Sequence, residues 1–201
     1  MLDISVKKKL GNFFLNAELH DGGVICVTGP NGSGKSTLLN IIAGFIRQDQ
    51  GSIVISGKDV SFLPPERRGI VIITQDSFIP SLTVDSHLMF GVKLSKTKVD
   101  SNELDRLKAL FSINFTGKMK NLSLGQRERV AILTALLRKP RLILIDEATA
   151  NISDKETFIK TLTEERRNYG FDLIFTTQDV NDSAFADHHY VMNNGLLMKR
   201  F

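Results

Sequence analysis

Residues Gly29, Pro30, Asn31, Gly32, Ser33, Gly34, Lys35, Ser36 and Thr37 are consecutive and match the phosphate-binding loop pattern G-x-x-x-x-G-K-[ST] in full. Glycines in such a loop let successive backbone N–H groups turn inward as an anion nest, and the helix that follows aims its positive dipole end at the phosphates. Lys35 would add a mobile charge for the β and γ phosphates. Ser36 would offer a hydroxyl to Mg²⁺, an ion that keeps most of its waters and takes few protein ligands. A second chemical feature is the adjacent pair Asp146 and Glu147, delivered by the apolar run Leu142 to Ile145. Asp146 would hold the metal through water, and Glu147 would polarise an attacking water, provided that this strand neighbours the phosphate-loop strand. A nucleoside triphosphate and Mg²⁺ are the ligands these residues imply.

The elements that must position these groups are legible around them. Val24 to Thr28 is a buried-strand run directly upstream of the loop, and Leu38 to Ala43 continues a helix downstream. Alternation in Leu2 to Lys8 and in Phe13 to Leu19, with the turn Asp21-Gly22-Gly23, predicts antiparallel strands at the N-terminus; Gly51 to Ile55 followed by Ser56-Gly57 predicts another hairpin piece. Ile70 to Thr74 is a β-branched strand. Helical periodicity fills Val84 to Leu137, with breaks near Lys96 and Gly117. Beyond it the pattern predicts a strand over Leu142 to Asp146, a helix near Lys155 to Tyr169, a strand over Asp172 to Thr176, a short helix, and a closing hairpin at Asn193-Asn194-Gly195. The expected fold is α/β: a mixed, partly parallel core sheet, an N-terminal antiparallel β subdomain and an inserted helical subdomain. A single domain over 1–201 is expected, with core 1–83 and 138–201, helical insertion at about 84–137, and no further domain after it.

Composition limits the alternatives. The chain has 201 residues, 42% hydrophobic, and a formal net charge of +4 with its Lys and Arg spread along the chain. That balance gives little support to nucleic-acid binding. Lys7, Lys8 and Lys9 read as a solvated edge. No stretch approaches the roughly 18–20 apolar residues of a membrane span, and Met-Leu-Asp-Ile lacks a signal peptide's apolar stretch, so a cytoplasmic location is expected. The single cysteine, Cys26, lies within a strand and reads as core. His188 and His189 have no further ligands at metal-site spacing, so structural or surface roles are expected.

Between the insertion and the acidic strand lies Asn121-Leu122-Ser123-Leu124-Gly125-Gln126-Arg127-Glu128-Arg129. With Ser123 at the cap, this helix N-terminus reads as a second anion site. Taken with the phosphate loop and the Asp146-Glu147 strand, it resembles the signature motif of the ATP-binding cassette family, usually Leu-Ser-Gly-Gly-Gln, and the resemblance runs the length of the chain. The resemblance implies two subunits closing head to tail, so that ATP held by Gly29 to Thr37 of one subunit meets Ser123, Gly125 and Gln126 of the other. A second cassette subunit, expected as a homodimer, and membrane-spanning permease subunits are then partners; the chain would sit peripherally on the inner face of the membrane. Gln75 is similar to the family's glutamine-loop residue, with a role at Mg²⁺ and in coupling to the membrane partner through Asp76 to Thr83. Phe13 or Phe14 is similar to the aromatic that stacks on adenine, and either could equally be a core residue. Leu10 to Asn16 and Leu63 to Ile70 look most like ATPase subunits of molybdate, tungstate and sulfate importers. Two alternatives are a degenerate regulatory partner of an active cassette, against which Glu147 argues, and the ATPase of a small exporter.

Three positions depart from the family pattern. Leu124 replaces the first of two signature glycines, Ser153 stands where an aspartate is usual, and Gln178 occupies the switch-histidine position. Gln178 can donate to a γ-phosphate but cannot ionise or move a proton near neutral pH. These departures, beside an intact Lys35, Asp146 and Glu147, predict normal MgATP binding with slow or partner-dependent hydrolysis.

Overall fold

A computed structural model describes residues 1–95 and 98–201. In chain order the strands and α-helices are β1 (Leu2–Leu10), β2 (Phe13–Leu19), β3 (Val24–Thr28), α1 (Lys35–Ala43), β4 (Gln50–Ile55), β5 (Lys58–Asp59), β6 (Ile70–Ile73), α2 (Val84–Ser95), α3 (Ser101–Leu110), α4 (Leu124–Leu137), β7 (Leu142–Asp146), α5 (Lys155–Tyr169), β8 (Asp172–Thr177), β9 (His188–Asn193) and β10 (Leu196–Lys199). Among the described residues the strands form one ten-stranded sheet in the order β5-β4-β1-β2-β10-β9-β3-β8-β7-β6.

The sheet has two halves with different logic. Its antiparallel half pairs β1 with β2 (Ile4 opposite Leu19) and with β4 (Ile4 opposite Ile53). Alternation then turns Leu2, Ile4, Val6, Leu15, Ala17, Leu19, Ile53 and Ile55 to one buried face, where they pack with Leu38, Leu39, Ile41 and Ile42 of α1. The parallel half joins β3 to β8 and β9, and β8 to β7. Buried on both faces, β3 and most of β7 are continuous apolar runs rather than alternating ones. The parallel register places Thr28 beside Thr177 and Asp146 beside Thr176, so the segments leaving β3, β8 and β7 emerge at one sheet edge.

Two expectations about the sheet are revised. Strand β7 does not neighbour β3, because β8 is inserted between them. Lys7, Lys8 and Lys9 are on an interior strand rather than an edge. Lys7 and Lys9 are nevertheless exposed as expected, at the end of β1, where half-buried Lys8 pairs with Asp49 at 2.7 Å. The hairpin at Asn194-Gly195 has both residues at positive φ, 46° and 80°, the backbone a two-residue I′ turn requires.

The chain divides into two compact units, Met1–Ile72 with Arg141–Glu147 and Gly170–Phe201, and Ile73–Pro140 with Ala148–Tyr169. The helical unit is thus larger than the 84–137 insertion expected. Helix α5 joins it because Phe158 packs edge-on against Phe111, with centroids 5.2 Å apart, and because Arg106 makes a bidentate pair with Glu165 at 2.8 and 3.0 Å. The break expected at Lys96 lies outside the described residues. Gly117, at φ +106°, lies in the connection between α3 and α4.

In the first unit, Arg68 closes the C-terminus of α1. Its guanidinium donates to the carbonyls of Ile41, Ile42, Ser61 and Leu63 at 2.8–3.1 Å. A cation on the last carbonyls of a helix complements the negative dipole end and satisfies otherwise orphaned acceptors. Burial lowers the Arg68 pKa, the expected direction for a desolvated cation.

Candidate active site

The phosphate loop is held open at the head of α1. Gly34 is the N-cap, at φ +112° with no side-chain cap, so no protein side chain occupies the position an anion would take. The positive φ of Gly34 favours glycine, and a Cβ there would lie 2.7 Å from Cζ of Phe13, so the ring would have to shift. The loop is braced by Ser33 N–H donating to Pro30 O (3.2 Å) and by Gly195 N–H donating to Ser33 O (2.8 Å), which ties it to the final hairpin. Asn31, Gly32, Gly34, Lys35, Ser36 and Thr37, together with Phe13 and Glu147, line a pocket of about 250 Å³. Phe13 therefore forms the pocket wall, whereas strand alternation turns the neighbouring Phe14 to the other face, where it is half exposed.

Lys35 is buried, and its Nζ donates to Gly29 O (2.7 Å) and Pro30 O (3.1 Å) and pairs with Glu147 Oε1 (3.2 Å). The other carboxylate oxygen, Oε2, accepts from Gln178 Nε2 at 3.1 Å. Lys35, Glu147 and Gln178 thus converge although β7 and β3 are not neighbours, Gln178 coming from the segment that leaves the intervening β8. Glu147 has φ +54°, a left-handed conformation costing a non-glycine residue roughly 1–2 kcal/mol. Such strain persists where surrounding contacts over-determine it, and it turns the Glu147 side chain toward Lys35 rather than along the strand direction.

Sequence reasoning missed one buried residue of this site. Thr176 Oγ1 donates to Asp146 Oδ1 (2.8 Å) and accepts from the Glu147 N–H (3.2 Å). The available signal was two hydroxyls, Thr176 and Thr177, ending an otherwise apolar strand. Thr177 is used differently: its hydroxyl bonds Asp182 at 2.5 Å and accepts from the Asp179 N–H.

The residues present fit a triphosphate and Mg²⁺. The loop keeps the Ser33 hydroxyl buried and without a hydrogen-bond partner, and its helix dipole and Lys35 supply positive potential. Within this unit the metal donors expected are the Ser36 hydroxyl and the Asp146 carboxylate, hard oxygens in the small number that suits an ion retaining several waters, while Gln75 belongs to the other compact unit. Among the described residues no cluster of three or more His, Cys, Asp or Glu gathers for a metal. His189 is buried and its Nε2 bonds Thr28 Oγ1 at 2.8 Å, with burial lowering its pKa, and Cys26 is core.

The helical unit carries the remaining predicted residues. Gln75 is exposed just beyond β6, beside a turn closed by Ser77 N–H to Thr74 O at 3.1 Å. Ser123 caps α4 through a reciprocal box: its hydroxyl accepts from Gln126 N–H (3.3 Å) while Gln126 Oε1 accepts from Ser123 N–H (3.0 Å). Gln126 is accordingly engaged in the cap. Leu124 is 50% exposed at the first helical position. Gly125 packs against the loop after Glu147, where a Cβ would stand 2.3 Å from Asn151 O and 3.0 Å from its carbonyl carbon. The same loop is fastened by Asn151 to buried Glu128 (2.7 and 3.3 Å) and by the Arg129–Asp154 pair, whereas Ser153 is exposed. Burial raises the Glu128 pKa against the lowering effect of the Asn151 bonds. Because the obstruction at Gly125 is backbone, Gly125→Ala should lower stability by about 1–3 kcal/mol, as overpacking does. Denaturant unfolding checks this, and an unchanged midpoint would show that the 148–153 loop yields freely.

A phosphate-cradling loop between a parallel strand and a helix, with the Glu147 carboxylate beside its lysine, defines a nucleotide-binding ATPase of the phosphate-loop class. The profile of the ABC transporter family matches residues 14–150, and this chain belongs to that family as an ABC-type ATPase. It is 34% identical to the molybdate/tungstate import ATP-binding protein WtpC of Archaeoglobus fulgidus, over 99% of this chain and 86% of that protein. It is 35% identical to the spermidine/putrescine import ATP-binding protein PotA of Lawsonia intracellularis, over 90% of this chain but 51% of that protein. The chain spans about half the length of several such relatives. In fold it is similar to an ATP-binding cassette solved as a post-hydrolysis dimer with ADP and Pi, with TM-score 0.79 and 24% identity over 100% of this chain and 98% of that one.

Proposed function

We propose that this chain is the ATP-binding and hydrolysing subunit that energises a membrane importer, with an oxyanion such as molybdate, tungstate or sulfate as the solute. The observation that carries the catalytic part is the convergence of Lys35, Glu147 and Gln178 at the mouth of the phosphate-loop pocket. Gly32, Gly34 and the first turn of α1 receive the phosphates, and Lys35 exchanges its loop carbonyls for phosphate oxygens. Phe13 offers its ring to adenine. Ser36, Asp146 and Gln75 would hold Mg²⁺, which when bound neutralises phosphate charge. Glu147 accepts the proton of the attacking water, released from Lys35 as the lysine turns to the phosphates. A second, identical subunit presents Ser123, Gly125 and Gln126 to the same nucleotide, and permease subunits hold the pair at the inner face of the membrane. Among the described residues no helix is long and apolar enough to cross a membrane, so in this reading the permeases supply the translocation path.

The solute reading is supported by the likeness to the Archaeoglobus protein. A polyamine is the second reading, since the protein named for spermidine and putrescine import is similar to the same degree. ATP hydrolysis by the chain assembled with its permeases, compared with molybdate, sulfate and spermidine presented on their binding proteins, separates them. Stimulation by spermidine alone would overturn the oxyanion reading.

Gln178, together with Leu124 and Ser153, is the reason for expecting slow or partner-dependent turnover. It holds Glu147 through an amide N–H but cannot relay a proton. Gln178→His keeps a donor at this position and adds a titratable nitrogen, so it should raise steady-state hydrolysis in the assembled complex by about tenfold, a fraction of the roughly 10²–10⁴ that general acid–base groups contribute. Equal turnover in the two forms would remove the switch position as the limiting feature.

A further inference from the structure

The geometry points to Thr176 as a positioning residue for both acidic groups of the site, fixing the Asp146 carboxylate for Mg²⁺ and the backbone turn that aims Glu147. This inference rests on the nucleotide-binding reading above and deepens it.

Thr176 is 1% exposed, at the penultimate position of β8 and directly beside Asp146 in the parallel register. A hydroxyl has one proton to give and two lone pairs to receive with. Here the proton has two candidate acceptors, Asp146 Oδ1 at 2.8 Å and Ile145 O at 3.5 Å; the shorter contact takes it. One lone pair receives the N–H of Glu147 at 3.2 Å. Thr176 therefore spans the peptide between the two catalytic carboxylates. Its bond to Oδ1 commits that oxygen and leaves Oδ2 of Asp146 for a metal-bound water. Its bond to the Glu147 amide secures a residue held at φ +54°, a conformation that would relax toward the extended strand without a partner for that N–H.

A valine in the same place would have nearly the same shape but would leave the Glu147 N–H and Asp146 Oδ1 without this partner. The strands on either side of Thr176 place Val27 and Asp146 opposite it, and its chain neighbours Ile174 and Phe175 are buried apolar residues. Its function is read from its two polar partners, both in the site.

Three forms test this: the unmodified chain, Thr176→Val, which removes the hydroxyl with little change of shape, and Thr176→Ser, which restores it. The measurements are affinity for a fluorescent ATP analogue with Mg²⁺ and with EDTA, thermal unfolding of the nucleotide-free forms, and steady-state hydrolysis against Mg²⁺ concentration. Thr176→Val should leave affinity in EDTA within about twofold, reduce the enhancement of affinity by Mg²⁺ several-fold, and raise the Mg²⁺ concentration needed for half-maximal hydrolysis. Thr176→Ser should recover both Mg²⁺-dependent properties. A role in folding alone predicts a lower unfolding temperature with the Mg²⁺ enhancement intact, and that pattern would overturn the assignment while leaving the nucleotide-binding reading in place. Failure of the unmodified chain to bind the analogue under either condition would overturn both.

Discussion

Glu147→Gln is expected to lower steady-state ATP hydrolysis at least about 100-fold, within the range a general base contributes, while MgATP affinity changes by less than about threefold. The substitution keeps the side chain's shape and its ability to accept from Gln178, but an amide cannot take a proton from water. It also frees Lys35 from the 3.2 Å ion pair with Glu147, so the lysine becomes more available to phosphates rather than less. Hydrolysis against protein concentration and equilibrium binding, measured side by side, check both halves. Activity that rises more steeply than linearly in the unmodified chain would support dimeric turnover. A loss below about tenfold in Glu147→Gln would take Glu147 out of the base role, and a parallel loss of affinity would mean that the substitution disturbed the loop.

Lys35→Ala should have the opposite signature, with binding lost first. A hydrogen bond to a charged partner is worth about 1.5–3 kcal/mol, so removing the lysine should weaken MgATP binding roughly 10- to 150-fold. The nucleotide-free protein should suffer less. Lys35 bonds Gly29 O and Pro30 O from within its own loop, and Glu147 retains Gln178 and partial contact with solvent. The readout is the rise in unfolding temperature on adding MgATP: present in the unmodified chain and largely absent in Lys35→Ala at the same concentration, because stabilisation by a ligand follows its concentration relative to Kd. An equal rise in both forms would assign the phosphate contact to the backbone nest alone.

Together the two substitutions separate binding from chemistry at a site where one ion pair joins the two groups. That pair gives the nucleotide-free loop a definite arrangement. Lys35 is satisfied by two carbonyls and Glu147, Glu147 by Lys35 and Gln178, and the incoming phosphates must compete for the lysine. Gln178 is suited to this arrangement, since its amide is a neutral donor to Glu147 at any pH near neutrality.

Local sequence determined much of this protein. The span of β7 and the fifteen residues of α5 match their sequence readings residue for residue, because one is a short unbroken apolar run ended by carboxylates and the other carries a helical apolar period. The loop from Gly29 to Thr37 was readable because its glycines, lysine and hydroxyls are required at fixed spacing by one short stretch of backbone. The capped start of α4 was readable from Ser123 and Gln126 three residues apart. What the sequence left open was whatever depends on residues distant in the chain. The strand order, with β8 between β3 and β7, is set by the parallel crossovers and decides that Gln178 and Thr176 meet Glu147 and Asp146. The choice of Phe13 over Phe14 as the pocket wall follows from which face of β2 packs against Gly34. Helix α5 joined the helical unit through Glu165 and Phe158, whose partners Arg106 and Phe111 lie about fifty residues away. Hydrogen bonds and hydrophobic contacts of this kind are set by sheet register and packing, which no local spacing encodes. The sequence by itself therefore determined that this chain binds a nucleoside triphosphate, and the tertiary structure decided which side chains hold its two carboxylates in place.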